Sequence, residues 1–130
     1  MPKIFIKKII VFLFFLPLIL FAQEVEIQPL SKEINTKDAE INFIQINDST
    51  AYFTSIAEKQ NKITSNIYTA SFVNKNWIKK NKSIYNSTGF NTSNITVLEN
   101  KKVFFTICDE NMSRCKIVFS ENYHSKGFNE

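Results

Sequence analysis

Ile44-Gln45-Ile46-Asn47-Asp48-Ser49-Thr50-Ala51-Tyr52-Phe53-Thr54 aligns without a gap on Thr96-Val97-Leu98-Glu99-Asn100-Lys101-Lys102-Val103-Phe104-Phe105-Thr106, 52 positions later. A period near fifty residues marks a supersecondary unit that cannot bury its apolar face alone. Other anchors keep the spacing: Phe53 and Phe105 are 52 apart, Ile67 and Ile117 are 50 apart, and Trp77 and Phe128 are 51 apart. The small shifts fall in connections, where insertions are tolerated. Glu33-Ile34-Asn35 matches Ile84-Tyr85-Asn86 in its last position at a spacing of 51, so the lead-in repeats as well.

The residues between the anchors are strand formers: Phe, Ile, Val and Thr in short runs. Strands are expected at 41–46, 51–55, 66–73 and from Trp77, and again at 94–98, 102–107, 115–119 and near Phe128. Asn47-Asp48-Ser49, Asn74-Lys75-Asn76 and Glu99-Asn100 supply turns between them. A polar connection is expected over residues 58–65. With only two glycines in the chain, Asn and Asp must do the turn work, since both tolerate left-handed backbone. Four short strands at this period describe a propeller-type blade. The competing arrangement is one antiparallel sandwich whose two hairpins merely look alike.

The fold class expected is therefore all-β, with antiparallel four-stranded blades, one complete and one incomplete, after an N-terminal signal helix. Residues 1–22 read as a signal peptide: Lys3, Lys7 and Lys8 precede an apolar run over residues 9–21, with cleavage between Ala22 and Gln23. That run is shorter than the roughly 20 residues of a membrane span, which leaves an uncleaved anchor as the alternative. Residues 23–38 form a lead-in, 39–83 the first blade and 84–130 a second blade cut short in its last strand. Four blades, the usual minimum, would need about two hundred residues at this period, so a fragment of a longer product is expected.

Export also reshapes the charge. Three of the 16 basic residues and none of the 12 acids precede Gln23, leaving thirteen against twelve in the mature chain. No basic patch argues for nucleic acid, and Lys79, Lys80 and Lys82 read as a solvated turn. Cys108 and Cys115, with six residues between them, read as a disulfide closing a loop between two strands in an oxidising compartment. Two thiols without nearby histidine fall short of a zinc site.

No catalytic constellation emerges from the sequence. His124 is the only histidine, and no glycine-rich nucleophile elbow accompanies it. Asp48 and Glu99 occupy equivalent turns and read as turn residues rather than a glycosidase pair. No phosphate loop or dinucleotide fingerprint occurs, and no cofactor is expected. Asn-x-Ser/Thr sequons such as Asn86-Ser87-Thr88 arise from composition in a chain this rich in Asn and Ser.

At the motif level the chain resembles the PD40 (WD40-like) propeller repeats, related to the propeller of the periplasmic protein TolB. Ala51-Tyr52-Phe53-Thr54-Ser55 matches the family's aromatic strand, Asn66-Ile67-Tyr68 stands for Asp-Ile-Tyr, and Trp77 for the following Trp. Val103-Phe104-Phe105-Thr106, Lys116-Ile117-Val118 and Phe128 fill these places in the second copy. The departures lie in the turn, where Asp48 and Asn100 stand in the place of Gly. The resemblance covers residues 29–130 and is of moderate specificity, since single blades are short.

Together with the Phe-Ala-Gln signal end, the resemblance extends to cell-envelope proteins of the Bacteroidetes type. It implies an exported, non-enzymatic interaction scaffold of the periplasm or outer membrane, N-terminal to an OmpA-like peptidoglycan-binding domain. Its partners would be other envelope proteins, and membrane contact would come only through export or an uncleaved N-terminal segment. The alternative is an accessory propeller of a secreted hydrolase whose catalytic domain lies downstream. A carbohydrate-binding surface using Trp77 or exposed tyrosines is a third reading, although Trp77 at a repeat anchor is better placed in a core.

Overall fold

The computed structural model describes residues 27–99 and 101–121. The signal segment, the Ala22/Gln23 cleavage position, His124 and the Phe128 anchor lie outside the described residues. Within them the chain is all-β, in two antiparallel sheets. The first sheet has the order β1 (Ala39–Asn47), β2 (Thr50–Lys59), β3 (Lys62–Val73) and β4 (Asn76–Lys82). The second has the order β5 (Phe90–Val97), β6 (Val103–Asp109) and β7 (Cys115–Ser120).

Most of the expected strands are present, and the exception is instructive. Residues 58–65 are not a polar connection: β2 and β3 run on to a two-residue turn, with Lys59 paired to Lys62. Gln60 and Asn61 both have positive φ (53° and 61°), and so do Asn74 and Lys75 (50° and 64°). Positive φ at both central residues is the tight hairpin geometry that matches the right-handed twist of the strands. Polar side chains on the last turns of a long hairpin reach water, which is why their composition read as a loop.

Lys79, Lys80 and Lys82 also differ from expectation, since they lie on β4 rather than in a turn. β4 is an edge strand, and lysines there discourage pairing with other chains. Lys79 lays its ammonium 3.8 Å from the centroid of the Tyr68 ring, and Lys82 donates to the Asn66 side chain (2.9 Å).

The repeat is structural as well as textual. In the first sheet Ile41 pairs with Thr54 and Ile44 with Tyr52, so Asn42 and Phe43 together oppose Phe53 in a bulge. In the second sheet Ser93 pairs with Thr106 and Thr96 with Phe104, so Asn94 and Ile95 oppose Phe105. Every one of these pairs is displaced by 52 residues. The leading bulge residue is left-handed in both, Asn42 at φ 55° and Asn94 at φ 53°. Asn is among the few residues that visit this region readily. The β2–β3 and β6–β7 registers correspond too: Phe53 opposes Tyr68, and Phe105 opposes Val118.

The first corner uses a different device from the one the sequence suggests, and Asn100 of the second lies outside the described residues. Asp48 is not left-handed; Asn47 makes an Asx turn instead, its side-chain oxygen accepting from the Ser49 amide (2.9 Å). In the second corner Lys101 takes positive φ (68°), closed by bonds between Leu98 and Lys102 and between Lys101 and Leu98.

Candidate functional site

Because strand side chains alternate, each sheet has two faces. The front of the first sheet carries Ala51, Phe53, Tyr68 and Ala70, and its back carries Tyr52, Thr54 and Ile67. The corresponding front of the second sheet carries Val103, Phe105 and Val118, and its back Phe104, Thr106, Ile117 and Phe119. The main core joins unlike faces: Tyr52 and Ile67 from the first back pack on Ile95, Val103, Phe105, Ile107 and Val118 from the second front. Tyr85, from the connection before β5, lies between them, 6.0 Å from the Tyr52 ring and 5.1 Å from the Phe105 ring. Burial of this many apolar side chains is the main stabilising term, each worth about 1.5–3 kcal/mol in transfer.

A polar seam along the same interface fixes its register. The Asn42 amide donates to the Ile95 carbonyl (2.9 Å), and the Asn94 N–H donates to Thr54 Oγ1 (3.2 Å). Ser65 N–H donates to Asn91 Oδ1 (2.7 Å), and its hydroxyl to the Thr92 carbonyl (2.8 Å). Asn86 clamps the β3 edge: it accepts from Ile67 N–H (2.9 Å) and donates to the Ile67 carbonyl (2.7 Å). The Ser65 and Ile67 bonds occur where β4 has left β3, and they take up backbone groups of that vacated edge.

The first front is covered by the lead-in. Ile34 is fully buried with Ala51, Phe53 and Ala70, and Leu30, Phe43, Tyr68 and Trp77 pack around them. Trp77 is therefore half-buried packing, with its ring 5.3 Å from Phe43 and 5.2 Å from Phe72. Ser31 Oγ donates to the Trp77 carbonyl and ties the lead-in to β4.

The second back has no such cover among the described residues. Ile117 is 72 % exposed, whereas its counterpart Ile67 is 0 % exposed. Phe104 and Phe119 stack beside it, half-buried, with ring centroids 5.8 Å apart. This open face is the candidate site. Of the sequence anchors, Phe53, Phe105 and Ile67 are buried, Tyr68 and Trp77 are half-buried, and Ile117 alone faces outward.

Cys108 and Cys115 oppose each other across β6 and β7 and are bridged, with Cα atoms 4.1 Å apart. The loop they close is further tied by Asp109, which accepts from the Ser113 N–H (2.8 Å) and hydroxyl (2.7 Å) and from Arg114 (3.3 Å). The Ser113 bonds chiefly, with Arg114 assisting, hold the Asp109 carboxyl down at about 2. At the same end a polar cleft of about 460 Å³ opens between the sheets, lined by Lys62, Asn66, Lys82, Thr88, Phe90 and Glu110. Lys62 and Glu110 pair across it (3.3 Å), and the Lys82 ammonium is held by the neutral Asn66 side chain.

Among the described residues no group of three His, Cys, Asp or Glu side chains comes together to hold a metal, and no helix is long and apolar enough to cross a membrane. Asn42, Asn86, Asn91 and Asn94 organise the interface, and none carries a recognisable site motif in the sequence. The repeat marks three of them: Asn42 and Asn94 coincide at the 52-residue offset, and Asn86 matches Asn35 at 51. Comparison with family models, with curated proteins and with solved structures gives no match.

Proposed function

We propose that the chain is an exported, non-enzymatic interaction module built from propeller-type blades, working in the cell envelope as a scaffold. One observation carries this reading. The two sheets pack front on back, not front on front, so the unit is repeated by a rotation that continues and leaves a new back face open. A sandwich of two such sheets would bury equivalent faces against each other and turn polar faces outward. The open face around Ile117, stiffened at one end by the disulfide, is then the surface the module presents. The PD40-like motifs and the signal-like N-terminus agree with an envelope location, and a disulfide suits an oxidising compartment.

The experiment is site-specific photo-crosslinking in cells that export the full chain. A crosslinker in place of Ile117 yields an adduct with a second polypeptide of the envelope fraction, either another protein or another copy of this chain. One placed at Ile63, exposed on the far hairpin, does not. A cytoplasmic protein, or no adduct from Ile117, overturns the proposal.

A further inference from the structure

The interface inside the molecule is a template for a contact between molecules. Where the first back meets the second front, three features recur in the repeat: a bulge Asn reaching across, a back-face Thr receiving a bulge N–H, and a lead-in Asn clamping a β-strand edge. Each has a counterpart that is unused at the ends of the molecule. Asn94, equivalent to Asn42, is exposed on the open side. Thr106 stands where Thr54 does, and Ile117 where Ile67 does. At the opposite end Asn35, the counterpart of Asn86, is exposed, its amide bonded only locally to the Leu30 carbonyl (3.1 Å). Ile34 lies on the first front as Tyr85 lies on the second.

We infer that the open back of the second sheet receives the lead-in and first front of a second copy of this chain. The inference rests on the blade reading above. Asn35 of the second copy clamps the Ile117 backbone as Asn86 clamps Ile67; Ile34, already buried within its own copy, takes no direct part. Asn94 donates to the Phe43 carbonyl of the second copy, the counterpart of Ile95. Thr106 accepts from its Asn42 N–H. The lead-in is part of this contact rather than an obstacle to it, because Tyr85 and Asn86 occupy the same place in the internal interface. The contact is heterologous, with different patches on the two copies, so it propagates to a ring or a filament rather than stopping at a two-fold dimer.

The test is sedimentation velocity on the exported full chain over a range of concentration. The wild type forms species beyond the dimer. Ile117→Lys, at an exposed position, and Asn35→Ala, on an exposed lead-in, each weaken association at least tenfold, while circular dichroism and the closed disulfide report an intact fold. Mixing the two variants restores a one-to-one heterodimer, because one keeps the front and the other the back. A wild type that stays monomeric up to about 100 µM overturns the inference. So does association that Ile117→Lys leaves unchanged, or a pair of variants that fail to complement. An Ile117 crosslink to a different polypeptide would overturn it too, while leaving the scaffold reading standing.

Discussion

Asn42 and Asn94 stand 52 residues apart, each left-handed at the head of an equivalent bulge, yet only Asn42 uses its side-chain amide across the sheet interface. The same bulge therefore crosses the interface through its side chain in one copy and through its backbone N–H, to Thr54, in the other. Substitutions at the two positions should separate backbone strain from the bond between sheets. Asn42→Ala costs about 2–3 kcal/mol, combining about 1–2 for a Cβ-bearing residue at positive φ with about 1 for the lost bond. Asn42→Gly keeps the backbone free and costs nearer 1 kcal/mol, while Asn94→Gly costs less than that. Urea denaturation of the three variants measures the order.

Tyr85 is buried between the sheets, and its hydroxyl lacks a well-formed hydrogen bond. Burial pushes its pKa well above the ordinary phenol value, and the Tyr52 phenol beside it adds to the rise. A buried polar group without a good partner is a cost of about 1–3 kcal/mol, so Tyr85→Phe is expected to be neutral or stabilising. Tyr85→Leu keeps apolar bulk but loses the ring contacts with Tyr52 and Phe105, and costs about 1–2 kcal/mol. Thermal melts of both variants test the pair.

The Asp109 carboxyl has its pKa lowered to about 2 by Ser113 and Arg114. A depressed folded-state pKa means its contribution is fully present above the ordinary carboxylate value near 3.8 and is lost as pH falls through about 2. The 109–114 loop should therefore loosen over that acid window. The Ser113 amide resonance titrates with it, and Asp109→Asn abolishes the titration.

The Cys108–Cys115 bridge closes a small loop, for which the chain-entropy estimate is about 2.5 kcal/mol. Cys108→Ser with Cys115→Ser should lower stability by that amount and leave the sheets intact. Thiol titration of the exported, unfolded wild type should find no reactive thiol.

Asn91 satisfies the buried Ser65 N–H and reaches the Asp109 and Glu110 carbonyls at the loop end. Asn91→Ala strands that N–H and costs about 1–3 kcal/mol, loosening both the seam and the disulfide loop. Hydrogen exchange at Ser65 reads the loss directly.

Much of this architecture was legible because strand formers and a 52-residue offset are local facts of the sequence. Ala51 to Thr54 and Val103 to Thr106 announced paired hairpins, and the two cysteines announced the bridge. The hairpin at Gln60-Asn61 was not legible, since its exposed ends are as polar as a loop and its turn lacks glycine. Neither was the exposure of Ile117: its register follows from the repeat, but whether a face is covered depends on what packs against it. Asn91 was hidden for a related reason: it completes the edge of another strand and has no counterpart at the repeat offset. The Asn35–Asn86 match marks a repeated position but not the clamp that Asn86 makes.

The most direct measurement is a set of nuclear Overhauser contacts among the aromatic and methyl protons of the core. Front-on-back packing predicts contacts from Tyr52 and Ile67 to Tyr85, Phe105 and Val118, and none between Phe53 and Phe105. Contacts joining Phe53 directly to Phe105 would put equivalent faces together and contradict the account.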